Sequence, residues 1–442
     1  MFLENLVSRL LLALAALTLT THAQIPNPAL MKYACGPANR MFATLSPTSR
    51  YTAATAGFDL LDSPAITGRA CTSDKPFFFS VPIPEGNYRV TVVLGGPQAS
   101  ITTVRAEGRR LMLEKIPTAP DASVTRSFDV NVRVPQIVPQ IKDPPNGDPN
   151  HVVKLKPREQ GILNWDTKLT LEFNGDQPSV RSISIDPIKE PTIYLAGDST
   201  VVDQYFEPWA AWGQMLPRFF TPGVVIANHA ESGETTRSFV SEQRLAKIMS
   251  LIQPGDYLFI QFAHNDMKPN AVPIDDYKKL LTDYIAQTRA KGAFPVLVTS
   301  MNRRTFDASG KITNSLAGYP DAMREIAAAQ HAPLIDLNAM SKTLFEALGP
   351  NGAMKAFMHY PANAFPNQTE PINDDTHFNS YGAYELARCI VHGIRDAKLP
   401  IAKFLSTEVP DFNPAHPDSQ SDFRLPATPI LLKTSVMKVG QT

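Results

Sequence analysis

At Pro187 the sequence changes its hydrophobic period, and this change constrains the fold more than any other feature. Before it, short runs rich in β-branched and aromatic residues recur at 77–83, 88–94, 110–116, 127–134 and 169–173. The breaks between them carry Gly, Pro, Asn or Asp, as turns between strands require. Many short strands at this spacing imply an all-β sandwich over residues 30–187. The Pro- and Asn-rich stretch at 143–150 reads as a loop within it, because strand-like sequence resumes afterwards. After Pro187, short apolar runs at 193–196, 224–227, 257–262, 295–299 and 333–337 alternate with longer segments. Tyr277, Leu280, Leu281, Tyr284, Ile285 and Thr288 keep helical spacing, with Gly292 as the stop. A last helix is expected over 381–398. Alternating strands and helices predict an α/β domain over 191–400, its parallel sheet covered on both faces. Residues 401–442 read as an extended tail.

Composition narrows the function. Lys plus Arg and Asp plus Glu each number 42, so the formal net charge is zero. No Lys/Arg-dense stretch supplies the footprint of a nucleic-acid binder. Residues 1–23 read as a signal peptide, with an apolar run at 10–17 too short to span a bilayer and a small-residue cleavage site ending at Ala23. The expected location is secreted or periplasmic, with no membrane attachment after cleavage. In such a compartment Cys35 and Cys71 are candidates for a disulfide, whereas Cys389 lies on the apolar stripe of the last helix and reads as buried.

Chemistry gathers where the parallel strands end, which is where open α/β sheets bind ligands. The first strand ends in Gly197-Asp198-Ser199-Thr200, the second in Asn228-His229 and onward to Gly233, and the third in Ala263-His264-Asn265-Asp266. Asp374-Asp375-Thr376-His377 precedes the last helix. This set suits acyl transfer. Ser199 is the candidate nucleophile and His377 its base, with Asp374 holding the imidazole; the adjacent Asp375 is the alternative partner. The Ser199 and Gly233 amides and the Asn265 side chain are candidate oxyanion donors. His229 and Arg237 are candidate contacts to a sugar or a uronic carboxylate, His264 reads as structural, and His359 as a loop histidine near the cleft. No His-Glu-x-x-His or paired-Cys spacing occurs, and no Gly-rich dinucleotide loop follows the first strand. Neither metal nor organic cofactor is expected.

These four blocks resemble those of the SGNH (GDSL-like) hydrolases, and within them the rhamnogalacturonan acetylesterases. Ser232-Gly233-Glu234-Thr235-Thr236-Arg237-Ser238-Phe239 and Thr376-His377-Phe378-Asn379-Ser380 extend the likeness, which covers roughly 191–398. The resemblance implies a flavodoxin-like α/β/α fold and a serine esterase that removes acetyl groups from pectic polysaccharide of the plant cell wall. It implies Ser199 as nucleophile, Gly233 and Asn265 as oxyanion donors, and Asp374 with His377 completing the triad. Ala263 departs from the Gly usual before His-Asn-Asp. The region before Pro191 is similar to galactose-binding-like sandwiches and reads as an accessory module. The alternatives are an acetyl esterase for another ester such as acetylated xylan, and a non-catalytic carbohydrate-binding protein.

Overall fold

A computed structural model describes residues 31–37, 40–138, 151–365 and 368–429. The signal segment, the 143–150 loop, the formal glycosylation acceptor Asn367 and the end of the tail lie outside them. The strand-rich half holds a seven-stranded sheet and a five-stranded sheet. The first runs through Val124–Val132, Gly86–Leu94, Ser179–Pro187, Lys32–Cys35 and Ala43–Leu45, with Ala70–Thr72 also pairing Ser179–Pro187 and Ala65–Thr67 pairing Ala70–Thr72. The second orders Gly57–Asp59, Phe77–Pro82, Lys168–Asp176, Ser100–Ala106 and Arg110–Thr118. One apolar cluster draws on both sheets, with Val90, Val92 and Ile183 from one and Phe77, Phe79 and Phe173 from the other. Along Gly86–Leu94 buried and partly exposed residues alternate, as one core-facing side demands. Cys35 and Cys71 form a disulfide inside this half.

The second half is a five-stranded parallel sheet ordered Val225–Asn228, Thr192–Gly197, Tyr257–Gln261, Phe294–Val298, Leu334–Ile335. The strand Thr192–Gly197, second in this order, is buried throughout, and its side chains divide between two cores. Ile193 and Leu195 join Trp212, Phe345, Leu386 and Ile390. Tyr194 and Ala196 join Ile248, Tyr277, Leu281 and Met323. Period-two alternation thus feeds helices on both faces, and each fully buried Ile or Leu contributes about 1.5–3 kcal/mol. The helix expected around 277–288 spans Ile274–Ala290, with Asp275 and Asp276 in its first turn and Arg289 in its last, each at the favourable dipole end. The last helix spans Ser380–Asp396, capped by Asn379, whose side chain accepts from the Gly382 amide at 3.1 Å. Cys389 is buried on it. The fifth strand is shorter than the expected 333–337, because Asp336 leaves the sheet to cap the helix Leu337–Met354.

The two halves meet through buried charge. Arg110 Nε donates to Asp203 Oδ2 at 2.8 Å, with both side chains almost fully buried. Asn228 Nδ2 donates to Asp203 Oδ1 at 2.8 Å, and Gln214 Nε2 reaches Gly108 O at 2.7 Å. Leu111, from the strand-rich half, sits in the core of the second. The tail returns across this junction. Tyr381 Oη donates to Asp418 O, while Asn174 Nδ2 donates to Ala427 O and Thr428 Oγ1 to Glu172 Oε2. Residues 418–428 thus strap the two halves together.

Candidate active site

The site begins with the turn that ends the strand Thr192–Gly197. Gly197 pairs with Gln261 of the next strand, and a Cβ there would stand 2.5 Å from Val201 Cγ2, so the turn closes only on glycine. Asp198 is fully buried beneath it and accepts from the Thr200 amide at 2.9 Å and the Thr200 hydroxyl at 2.7 Å. Burial alone would raise its carboxyl; the His264 imidazole and the Thr200 donors outweigh that and hold it below the usual range. His264 is thus a structural neighbour of Asp198, with Nδ1 3.6 Å from Oδ2. Gln204 Nε2 fixes the Ser199 carbonyl at 2.8 Å, leaving the Ser199 hydroxyl at the turn's crest with 8% of the residue exposed.

His377 reaches that hydroxyl from an element absent from the sequence reading. Phe357–Tyr360 and Ile372–Phe378 form an antiparallel hairpin. Pairing jumps from Met358–Asp374 to Phe357–Phe378, so residues 375–377 bulge from the ladder. In a regular strand residues three apart face opposite sides. The bulge turns Asp374 and His377 to one side. His377 Nδ1 lies 2.7 Å from Asp374 Oδ2, and His377 Nε2 lies 2.8 Å from Ser199 Oγ. Asp374 Oδ1 also accepts from the Thr376 and His377 amides at 2.7 and 3.0 Å. Against a raising effect of burial, the His377 ring and these amides bring the Asp374 carboxyl down to about 2. Asp375 is used elsewhere: its Oδ1 accepts from Arg304 Nε at 2.6 Å and lies 2.7 Å from His359 Nε2.

The second and third blocks, which carry Gly233 and Asn265, are tied to the first where the Glu231 amide donates to Gly197 O at 3.1 Å and His264 Nδ1 lies 3.6 Å from Asp198 Oδ2. Gly233 has φ +80°, a backbone conformation that favours glycine. Asn265 is buried, and its Nδ2 spends one donor on Glu234 O at 3.0 Å, which leaves the second free. Among the described residues neither the Ser199 nor the Gly233 amide donates to a protein acceptor. Asp266, next to Asn265, takes the Thr236 amide at 2.8 Å and the Thr236 hydroxyl at 2.6 Å, and burial pushes its carboxyl up to about 7. That ties the second and third blocks to each other.

Three expectations change. His359, expected in a loop, lies on the strand Phe357–Tyr360 and pairs with Asn373. His229 is fully buried between the Trp165 and Tyr194 rings at 5.5 and 5.7 Å, so it cannot touch a sugar; burial drives its imidazole well below the usual value. Nor does the region before Pro191 stand apart from the site. Its 3-10 turn Pro157–Glu159 brings Lys156 and Arg158 onto the second block, where Lys156 Nζ and Arg158 Nη2 both donate to Ser232 O. In sequence, the only signal was a mixed-charge run, Lys154 to Glu159, between strand-like segments. Arg237 is half-exposed and donates to Ala271 O at 2.9 Å and Asp276 Oδ2 at 2.8 Å.

A hydroxyl, imidazole and carboxylate in hydrogen-bonded line, flanked by unspent N–H groups, form the apparatus of a serine ester hydrolase. The chain matches the GDSL-like lipase/acylhydrolase family over residues 195–384 and belongs to that family, the SGNH hydrolases; it is a carboxylic ester hydrolase. It is 44% identical to the rhamnogalacturonan acetylesterase RhgT of Bacillus subtilis (strain 168) over 222 residues, 49% of this chain and 96% of RhgT. To YesY of the same organism, a "probable rhamnogalacturonan acetylesterase", it is 36% identical over 223 residues, 49% of this chain and 98% of YesY. The uncharacterized esterase YxiM, also of Bacillus subtilis, is 27% identical over 323 residues, 72% of this chain and 74% of YxiM.

Proposed function

We propose that the protein is an exported carbohydrate acetylesterase that removes O-acetyl groups from rhamnogalacturonan. The observation that carries the ester chemistry is the continuous relay from Ser199 Oγ through His377 to Asp374, 2.8 and 2.7 Å long. Ser199 attacks the acetyl carbonyl carbon while His377 Nε2 takes the hydroxyl proton. Asp374 holds the Nδ1 proton in place, so that Nε2 stays free to accept. The Ser199 and Gly233 amides and Asn265 Nδ2 receive the oxyanion. The tetrahedral intermediate collapses, His377 gives its proton to the departing sugar oxygen, and an acetyl-enzyme remains. Water, deprotonated by the same imidazole, then attacks the acetyl group. Acetate leaves, and the proton returns to Ser199.

The acetylated pectic substrate is supported by the likeness to RhgT and YesY. Export is supported by the signal-like first 23 residues and agrees with the Cys35–Cys71 disulfide. The test is acetate release from acetylated rhamnogalacturonan, homogalacturonan and xylan under one set of conditions. The proposal expects rhamnogalacturonan to be hydrolysed fastest. A clear preference for xylan would overturn the substrate, and no release from any polymer or small acetate would overturn the activity.

A further inference from the structure

We propose that Lys156 and Arg158, carried by the strand-rich half, are positioning residues that set and polarise the Gly233 amide of the oxyanion hole. The inference rests on the reading of that amide as an oxyanion donor. The Ser232 carbonyl and the Gly233 N–H belong to one planar trans peptide unit and point in opposite directions. Lys156 Nζ donates to Ser232 O at 2.8 Å, and Arg158 Nη2 donates to the same oxygen. Two cationic donors on one carbonyl fix the rotation of the peptide plane. They also draw electron density toward its oxygen, which strengthens the N–H as a donor on the far side.

The plane needs such a hold. Gly233 sits at φ +80°, and glycine has no side chain to stop its peptide from rotating. The clamp is itself firmly mounted. Glu159, at the end of the same turn, is buried; its Oε1 accepts from Trp165 Nε1 and Arg244 Nη1, each at 3.0 Å, and its Oε2 accepts from the Lys156 amide at 2.8 Å. Arg158 Nε is held by Glu231 Oε1 at 2.8 Å, and Lys156 Nζ also pairs with Glu234. These partners already occupy both cations, which argues for a clamp rather than a receptor for an anionic substrate.

The experiment compares Lys156→Met, Arg158→Met and the double variant with the parent on a small chromogenic acetate, and measures inhibition by a trifluoromethyl ketone. Ser199 adds to the ketone carbon, the carbonyl electron pair moves onto oxygen, and the hydroxyl proton passes to His377. The ketone therefore reports the oxyanion hole without a leaving group. Each single variant should lower kcat about tenfold and the double about a hundredfold, with KM changed less than about threefold. Ketone affinity should fall by the same factors, and Lys156→Arg should restore most of the loss. Unchanged kcat and ketone affinity in the double variant would overturn the proposal. So would a fall in kcat with ketone affinity intact, which marks a general structural effect. If the double variant does not fold, the single variants decide by the same criteria. Asn265→Ala is measured alongside: if it also spares ketone affinity, the oxyanion reading fails, whereas a loss there alone sinks only the clamp.

Discussion

Exchanging Asp374 for Asn removes a charge while leaving the shape of the relay nearly intact. In the parent, Asp374 Oδ2 lies 2.7 Å from His377 Nδ1, and Oδ1 accepts from the Thr376 and His377 amides. An Asn amide turned toward Nδ1 would donate to it and select the tautomer with its proton on Nε2. The imidazole could then no longer accept from Ser199. Loss of the correct tautomer costs about 10³–10⁴ in kcat in serine hydrolases, and that range is expected here. Stability should change in step with pH. The Asp374 carboxyl is lowered from 3.8 to about 2 in the folded protein, so its stabilisation is present above the unfolded value and fades as pH falls toward 2. With the side chain 30% exposed, the contribution is about 1–2 kcal/mol at neutral pH. Asp374→Asn should therefore be less stable than the parent by that amount at pH 7, and the gap should close near pH 2. Asp375→Asn is the control. Asp375 pairs with Arg304 and His359 while 44% exposed, so its loss should cost under about 1 kcal/mol and leave kcat within about threefold. Steady-state hydrolysis of a chromogenic acetate and urea melts from pH 2 to 7 supply both readings. Collapse of activity in Asp375→Asn with Asp374→Asn spared would refute the assignment.

Asn265→Ala should lower kcat by about 10²–10³ with a smaller change in KM, because its free amide hydrogen acts on the oxyanion; a loss confined to KM would assign it to ground-state binding. The Cys35–Cys71 link closes a loop with a sequence separation of 36, so Cys35→Ser with Cys71→Ser should cost about 2–4 kcal/mol of unfolding free energy, read by denaturant titration. A chain starting after Pro187 would lose Arg110 from the buried Asp203 and Glu159 from the buried Arg244. Removing Leu111 with its half would also uncover apolar surface of the second half's core, so this truncation should aggregate or melt without cooperativity in calorimetry. A soluble truncation with parental activity on small esters would show that the junction is not required.

The parts of the site that could be read in the sequence are contiguous blocks at strand ends. Ser199, Gly233 and Asn265 follow apolar runs that declare themselves as strands, and the order of those runs places their ends on one edge. Ile372–Phe378 was not legible as a strand, because Asn373, Asp374 and Asp375 have poor strand propensity and the hairpin depends on its partner Phe357–Tyr360. His229 looked available because it adjoins the second block, yet the Trp165 ring that encloses it comes from the other half of the chain. Lys156 and Arg158 were invisible for the same reason. A charged run in a loop says nothing of which carbonyl it will meet until the two halves are docked.

The central claim, that Ser199 is the nucleophile of an acetyl ester hydrolase, is tested most directly by acetate release from Ser199→Ala. The purified variant should melt with the parent, since among the described residues the hydroxyl's one bonded partner is His377 at a partly exposed site, and should lose about 10⁴-fold or more in kcat. A folded variant that still releases acetate within about tenfold of the parent would contradict the account.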